Sequence, residues 1–357
     1  MVPTFNEAGN VEELVRRLDA ALTGRHWEAV FVDDASPDGT ADRLRAIARI
    51  DPRIRVIERI GRRGLSSACI EGMLATAAPL IAVMDADLQH DPRVLATLSD
   101  RLAADPELDL VIASRFVAGG GTGDWDRDRI QKSATATRIA RLVLKADLAD
   151  PMSGFFTIRA ARFRALAPRL SGIGFKLLLD LLTTARRPLR FAEVPLVFHR
   201  RETGESKLDH VVALEFLLLL YDRLFGRVIP TRFAMFAAIG ALGIAVHMAV
   251  FWAAYGLPGT SFLAAQITAT LSAMTFNFFL NNALTYRERR LHGARRLLLG
   301  WLGFCAVCSV GAFANVGVAA FLFSGRYARE TLSALAGIVI GAVWNYALSR
   351  RFVWGRY

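Results

Sequence analysis

Apolar and polar residues alternate in two different ways along this chain. As far as about residue 205, short apolar runs alternate with amphipathic stretches of helical period, and beyond Thr231 long apolar segments take over. Strand-like runs are predicted at 27–32, 54–57, 80–84 and 108–113, with helical patterns between them at 11–22, 40–50, 65–77 and 92–102. Asn10 followed three residues later by Glu13 predicts a capping box at the first helix. Val2-Pro3-Thr4 reads as the tail of a first strand, which would leave a central strand of the sheet short. The alternation predicts a Rossmann-like α/β domain, a mostly parallel sheet with helices on both faces. Ligands bind such sheets beyond the carboxyl ends of the strands. Four polar clusters fall there: Pro3-Thr4-Phe5-Asn6-Glu7, the Asp33-Asp34 to Thr40 run, Asp85-Ala86-Asp87-Leu88-Gln89, and Ser114-Arg115. Each alone is ordinary turn chemistry, but four on one edge suggest a nucleotide site. The chain has no G-x-G-x-x-G and no G-x-x-x-x-G-K-[ST], so dinucleotide and P-loop readings are weak.

The Asp85 run carries the sharpest chemistry. An extended chain would put Asp85, Asp87 and Gln89 on one side. Two carboxylates and an amide oxygen make a hard-cation site for Mg²⁺ or Mn²⁺, with positions left open for substrate phosphates. A solvated acidic turn is the plain alternative. Lys176 and Asp180, one helical turn apart, read as a surface ion pair, and His90 and His199 as structural.

Four later segments are long and apolar enough to span a bilayer: 233–255, 262–284, 297–323 and 331–348. The net charge of the 357-residue chain is +11, and from Asp222 onward thirteen arginines face three acids. These arginines flank apolar spans, so anionic headgroups explain them better than nucleic acid. They cluster before the first span, between the second and third, and after the fourth, which predicts that both termini, and with them the first half of the chain, lie in the cytoplasm. The stretch 207–227 has too short an apolar run to span and reads as an interfacial helix. The stretch 130–146 is either a second such helix or one packed on the sheet. Asn277, Asn281, Asn282 and Asn345 are expected to join helices by hydrogen bonds, and 277–286 and 345–354 look like a weak repeat. Cys69, Cys305 and Cys308 make no disulfide framework, and the C-x-x-C inside an apolar helix reads as packing. Polar residues within a few positions of Met1 leave no signal-peptide pattern.

The Pro3–Glu7, Asp33–Thr40 and Asp85–His90 series resembles an inverting family 2 glycosyltransferase of GT-A fold. Asp150-Pro151-Met152-Ser153-Gly154-Phe155-Phe156 and Arg201-Glu202-Thr203-Gly204-Glu205-Ser206-Lys207-Leu208 resemble the dolichol- or polyprenyl-phosphate mannose synthases within it. Arg232-Phe233, Asn277-Phe278-x-x-Asn281 and the Asn345-Tyr346 to Arg351-Phe352 ending resemble the GtrA-like four-helix membrane domain. The resemblance implies a GT-A domain over 1–206, interfacial helices over 207–229 and an all-α transmembrane domain over 230–357. It implies that Pro3, Phe5, Glu7, Asp33, Asp34 and Asp85 meet the nucleotide, and that Asp85, Asp87 and Gln89 hold the metal. Arg115, Arg129, Ser133, Asp150, Ser153, Arg201 and Lys207 would serve the acceptor phosphate, with Asp87, Arg115 and Arg129 catalytic. The implied reaction moves a hexose, mannose from GDP-mannose, onto a polyprenyl or dolichyl phosphate at the cytoplasmic face. UDP-glucose or another sugar nucleotide is the alternative donor. A rival reading is a lipid-linked sugar flippase or scaffold with a degenerate transferase domain. The expected partners are a sugar nucleotide, a prenyl phosphate and the bilayer, with no nucleic acid and no oligomeric state implied.

Overall fold

The computed structural model describes residues 1–123, 147–172, 176–199, 228–324 and 330–355, with scattered positions between them. The chain divides into two compact units, Met1–Leu224 and Phe225–Tyr357.

The first unit is built on seven described strands. They are β1 (Val2–Thr4), β2 (Ala29–Asp33), β3 (Ile54–Glu58), β4 (Leu80–Val83), β5 (Leu110–Ser114), β6 (Phe156–Arg159) and β7 (Phe191–Pro195). β1, β2 and β3 pair in parallel, while β6 runs antiparallel between β4 and β5, and β7 runs parallel to β5. The Met1 amino group donates to Ala82 O and Met84 N donates to Met1 O, so the two ladders join in the order β3-β2-β1-β4-β6-β5-β7. All five residues of β2 and of β5 are buried, as expected of strands covered on both faces. The mostly parallel sheet is therefore as predicted. β6 and β7 had no counterpart among the predicted elements. Each has only four or five residues, and neither shows a clean alternation.

Helices α1 (Val11–Ala21), α2 (Thr40–Ala48), α3 (Leu65–Leu74) and α4 (Val94–Ala104) follow the strands, and α5 (Ala160–Leu166) and α6 (Leu177–Thr184) come later. In α1, Val11, Leu14 and Leu18 form the buried stripe. The capping box at its start does not form. Asn10 makes no side-chain cap; its amide donates to the Glu7 carboxylate, while Glu13 binds Arg16 and Arg17. β1 is short, as its sequence suggested. A cavity of about 350 Å³ lined by Met1, Ala29, Val30, Leu80 and Ile81 lies at the end of the sheet away from the polar clusters.

The second unit contains α7 (Thr231–Tyr255), α8 (Phe262–Leu280), α9 (Ala294–Ser324) and α10 (Glu330–Leu348). Among the described residues three helical spans, Thr231–Tyr255, Phe262–Thr285 and Ala294–Phe313, are long and apolar enough to cross a membrane. Leu242, Ile244, Met248, Trp252 and Phe313 are exposed on them, a surface suited to lipid rather than water.

The weak repeat becomes explicit at an offset of 68 residues. Phe236 meets Phe304 with ring centroids 6.5 Å apart, and Tyr286 stacks on Trp354 at 4.1 Å and 8°. In each case a residue touches its own counterpart, which places both pairs on a local two-fold axis. Phe236–Tyr346 at 5.7 Å mirrors Phe278–Phe304 at 5.9 Å. A Cβ on Gly243 would lie 2.4 Å from Asn277 Oδ1, and one on Gly311 would lie 2.0 Å from Asn345 Oδ1. Each helix pair is thus closed by an asparagine packed against a bare glycine backbone. Both α8 and α10 end in a π-type turn, Asn281–Thr285 and Ser349–Val353.

The expected interfacial stretch 207–227 falls almost wholly outside the described residues, and 130–146 does so in part.

Candidate active site

The predicted polar clusters come together at the carboxyl ends of β1, β2, β4 and β5. Three non-glycine residues there take left-handed backbone conformations: Asn6 (φ 58°), Ala35 (φ 53°) and Leu88 (φ 61°). Such conformations cost about 1 to 2 kcal/mol each for residues with a Cβ, and strain of this kind gathers at functional sites.

Hydrogen bonds stitch the first two loops together. The Thr4 hydroxyl donates to Asp33 Oδ1 at 3.0 Å, and Ser36 donates its amide and its hydroxyl to the same carboxylate. Asn6 N donates to Ser36 Oγ, and Glu7 N donates to Thr40 Oγ1. Asp38 accepts from Ala8 N and from the amide and hydroxyl of Thr40; these bonds outweigh desolvation and hold its carboxyl below the usual range. Asp34 is occupied differently. Its carboxylate takes Arg59 Nε at 2.7 Å and Gly64 N at 2.8 Å, with Arg59 1% exposed. The burial raises the Asp34 pKa in spite of these bonds. Asp33 and Asp34 therefore tie together the loops at these strand ends, and Arg59, which the sequence gave no reason to select, anchors Asp34. Pro3 is buried in β1 opposite Val32, and the half-buried ring of Phe5 lies under the Arg63 guanidinium at 4.6 Å.

The Asp85 run is not extended. It turns at Leu88, and its geometry rests on the turn rather than on strand alternation. Asp87 Oδ1 accepts Gln89 N at 3.2 Å. Gln89 donates its side-chain amide to His199 O and accepts His199 N at its backbone. Asp85 N donates to His90 Nδ1 at 3.1 Å, and the His90 ring lies against Phe155 and Phe198. Burial pushes the His90 pKa down to about 4, so the ring is neutral and can accept at Nδ1. His90 is thus structural, as expected. Opposite it stands Gly154, where a Cβ would come within 3.2 Å of Asp85 Oδ2. The bare backbone leaves that oxygen room. Among the described residues no three His, Cys, Asp or Glu side chains gather into a metal cluster. The protein's own donors here are two carboxylates with an amide beside them, a hard, oxygen-only set that suits Mg²⁺ or Mn²⁺.

Arg115 and Asp150 meet in a buried bidentate pair. Arg115 Nε and Nη2 each lie 2.7 Å from an Asp150 oxygen, and Asp150 is fully buried. Ala149 N and Asp150 N donate to the Glu193 carboxylate on β7, which fixes the loop. The Ser153 hydroxyl donates to Ala113 O and accepts Phe155 N. Asp150 and Ser153 therefore build the loop beside the site. Arg129, Ser133, Arg201 and Lys207 lie outside the described residues.

The sequence matches Glycosyl transferase family 2 over residues 1–166 and the GtrA/DPMS transmembrane domain over residues 235–354. The dolichol-phosphate mannosyltransferase of Pyrococcus furiosus is 34% identical over 357 residues, covering 99% of this chain and 98% of that protein. This chain belongs to the family 2 glycosyltransferases. It resembles the dolichol-phosphate mannosyltransferase of Saccharomyces cerevisiae at 34% identity, over 62% of this chain and 85% of that one. It resembles the undecaprenyl-phosphate mannosyltransferase of Micrococcus luteus at 36%, over 58% of this chain and 86% of that one. The Pyrococcus relative matches through both units, so the pairing of transferase and membrane domain is shared along its length.

The transferase has one basic residue near its site that the sequence reading misplaced. Lys176 Nζ donates to Met152 O at 3.2 Å, two residues from Gly154. Asp180 is buried and accepts Ser171 N, Ser171 Oγ and Gly172 N. The expected surface pair is therefore corrected. Asp180 ties down Ser171 and Gly172, while Lys176 reaches Met152 O. Burial was the missing information, since a one-turn Lys–Asp spacing looks the same on a surface and in a core.

Proposed function

We propose that this glycosyltransferase moves a hexose, mannose from GDP-mannose, onto a polyprenyl or dolichyl phosphate at the cytoplasmic membrane face. The observation that carries the reading is the convergence of Asp85, Asp87 and the Arg115–Asp150 pair at one edge of the sheet. The names of the relatives supply the acceptor class and the sugar.

The acceptor phosphate needs no strong base. A phosphate monoester has its second pKa near about 6 and is largely ionised at neutral pH. Catalysis then reduces to placing its oxygen in line with the sugar C1 and stabilising the leaving diphosphate. The bond from C1 to the diphosphate breaks as the bond to the lipid phosphate forms, in one displacement with inversion. Asp85 and Asp87, with Gln89, would hold Mg²⁺ or Mn²⁺, which when bound supplies positive charge to the diphosphate. Phe5, Glu7 and the loop organised by Asp33 and Asp34 would line the nucleotide pocket. Arg115, held in place by Asp150, would face the acceptor phosphate, with Arg129, Ser133, Arg201 and Lys207 completing the site. Four membrane spans, with both termini in the cytoplasm, would keep the site on the side where nucleotide sugars are made.

Asp87→Ala in the full-length protein is expected to lower transfer by orders of magnitude with its melting temperature little changed, and excess EDTA is expected to abolish transfer by the wild type. Full activity in EDTA would remove the metal from the reading.

A further inference from the structure

The turn over 85–90 is held at both ends. Leu88 is left-handed, so the chain reverses there. At the far end Asp87 Oδ1 accepts Gln89 N, and Gln89 is tied to His199 through its side-chain amide and its backbone carbonyl. At the near end the Asp85 N–H donates to His90 Nδ1 at 3.1 Å. The side chain of the last residue thus closes the turn on the backbone of the first.

The His90 ring is itself fixed. It is 3% exposed, stacked on Phe155 at 5.0 Å and edge-on to Phe198 at 5.5 Å. Phe155 N donates to the Ser153 hydroxyl, which donates in turn to Ala113 O in β5. Gly154 completes the seat, since a Cβ there would lie 3.7 Å from His90 Cε1 and 3.2 Å from Asp85 Oδ2. The charges of Asp87, Arg115 and Asp150 all act on the ring, so it stands among the groups of the site rather than in a remote core.

A seat between two phenylalanine rings asks only for an apolar filler, and burying a polar ring there is a cost unless it makes a hydrogen bond. A histidine that accepts at Nδ1 carries its proton on Nε2 and offers one well-aimed acceptor. That acceptor is spent on the Asp85 peptide. Groups that stand behind metal-binding residues and orient them are worth about 10- to 100-fold in metal affinity.

We propose that His90 is a positioning residue of the transferase site: by accepting the Asp85 N–H it holds the turn in the shape in which Asp85, Asp87 and Gln89 meet the metal and the diphosphate. The inference rests on the reading of those three residues given above, and His90 acts through the Asp85 peptide.

Asparagine and leucine share one branched shape and differ in the acceptor. In His90→Asn the amide oxygen can stand where Nδ1 stands, and in His90→Leu a methyl group stands there. The readout is the Mn²⁺ concentration that gives half-maximal binding of a fluorescent nucleoside diphosphate, GDP and UDP in parallel, to the full-length protein in detergent, with melting temperature alongside. His90→Leu is expected to raise that concentration about 10- to 100-fold, and His90→Asn is expected to stay close to the wild type. A space-filling residue would give the reverse order, because leucine packs better than asparagine between two aromatic rings. Equal Mn²⁺ dependence in His90→Asn and His90→Leu, or a greater loss in His90→Asn, would overturn the positioning role and leave the metal reading standing. Nucleotide binding by the wild type that does not depend on Mn²⁺ would overturn both. Should His90→Leu fail to fold, His90→Gln takes its place, since its amide oxygen lies one bond further out and misses the Asp85 N–H.

Discussion

Arg115 and Asp150 lie 35 residues apart in the chain and form one buried, doubly hydrogen-bonded unit. Removing one partner from a buried pair strands the other charge, at a cost of about 3 to 5 kcal/mol. Asp150→Asn should therefore destabilise the first unit by roughly that amount in denaturant titration. Adding Arg115→Gln should recover part of the loss, as coupled residues do in a double-mutant cycle. Equal, additive losses would show that the two side chains do not act as a pair. The sequence marked both residues but could not reveal that they face each other. A motif records which groups are present, and long-range contact decides which of them are spent on one another. Asp34 teaches the same lesson. The resemblance implies a nucleotide role for it, and the motif gave no sign that Arg59 and Gly64 N also bind its carboxylate. Asp38 adds a pH dependence. Its folded pKa is depressed, so its contribution is present above the ordinary carboxylate value of 3.8 and fades as pH falls through the lower folded value. Asp38→Asn should flatten that acid limb of stability, measured by melting temperature between neutral pH and about pH 3.

At the scale of elements, periodicity served well where it was strong. The four βα repeats before residue 115 fall within a few residues of their predicted bounds, because buried parallel strands and amphipathic helices leave unlike patterns. β6 escaped because its four residues gain strand character only from being inserted between β4 and β5. The left-handed turns were also illegible, since Ala35 and Leu88 are not residues that signal positive φ. Ala35→Gly should relieve that strain and raise stability by about 1 kcal/mol in urea titration. A loss instead would mean that the loop relies on the stiffness of alanine. In the membrane unit the repeat supplies a symmetric expectation. Gly243→Ala and Gly311→Ala each drive a methyl into the facing asparagine amide. Both should lower the melting temperature in detergent, by similar amounts. A marked difference would show that the two helix pairs are not equivalent.

For the whole molecule, composition already separated the more polar first half from the apolar second half, and the two compact units follow that division. What composition could not give is the local two-fold axis, which rests on ring contacts between residues 68 positions apart. Orientation is the property on which the proposed reaction depends most. Cysteines placed at Pro258 and His292, both exposed between helices, should be labelled by an impermeant reagent from opposite sides, Pro258 from outside intact cells and His292 only after lysis. Labelling of His292 from outside would place the catalytic half away from its donor. The most direct measurement is transfer itself. Purified full-length protein is given polyprenyl phosphate, Mn²⁺ and, in parallel, GDP-mannose, UDP-glucose and other sugar nucleotides, and the lipid product is identified with its anomeric configuration. The account predicts a single mannosyl phosphate lipid formed from GDP-mannose with inversion at C1. A product of retained configuration, or no lipid product from any donor while nucleotide still binds, would contradict it.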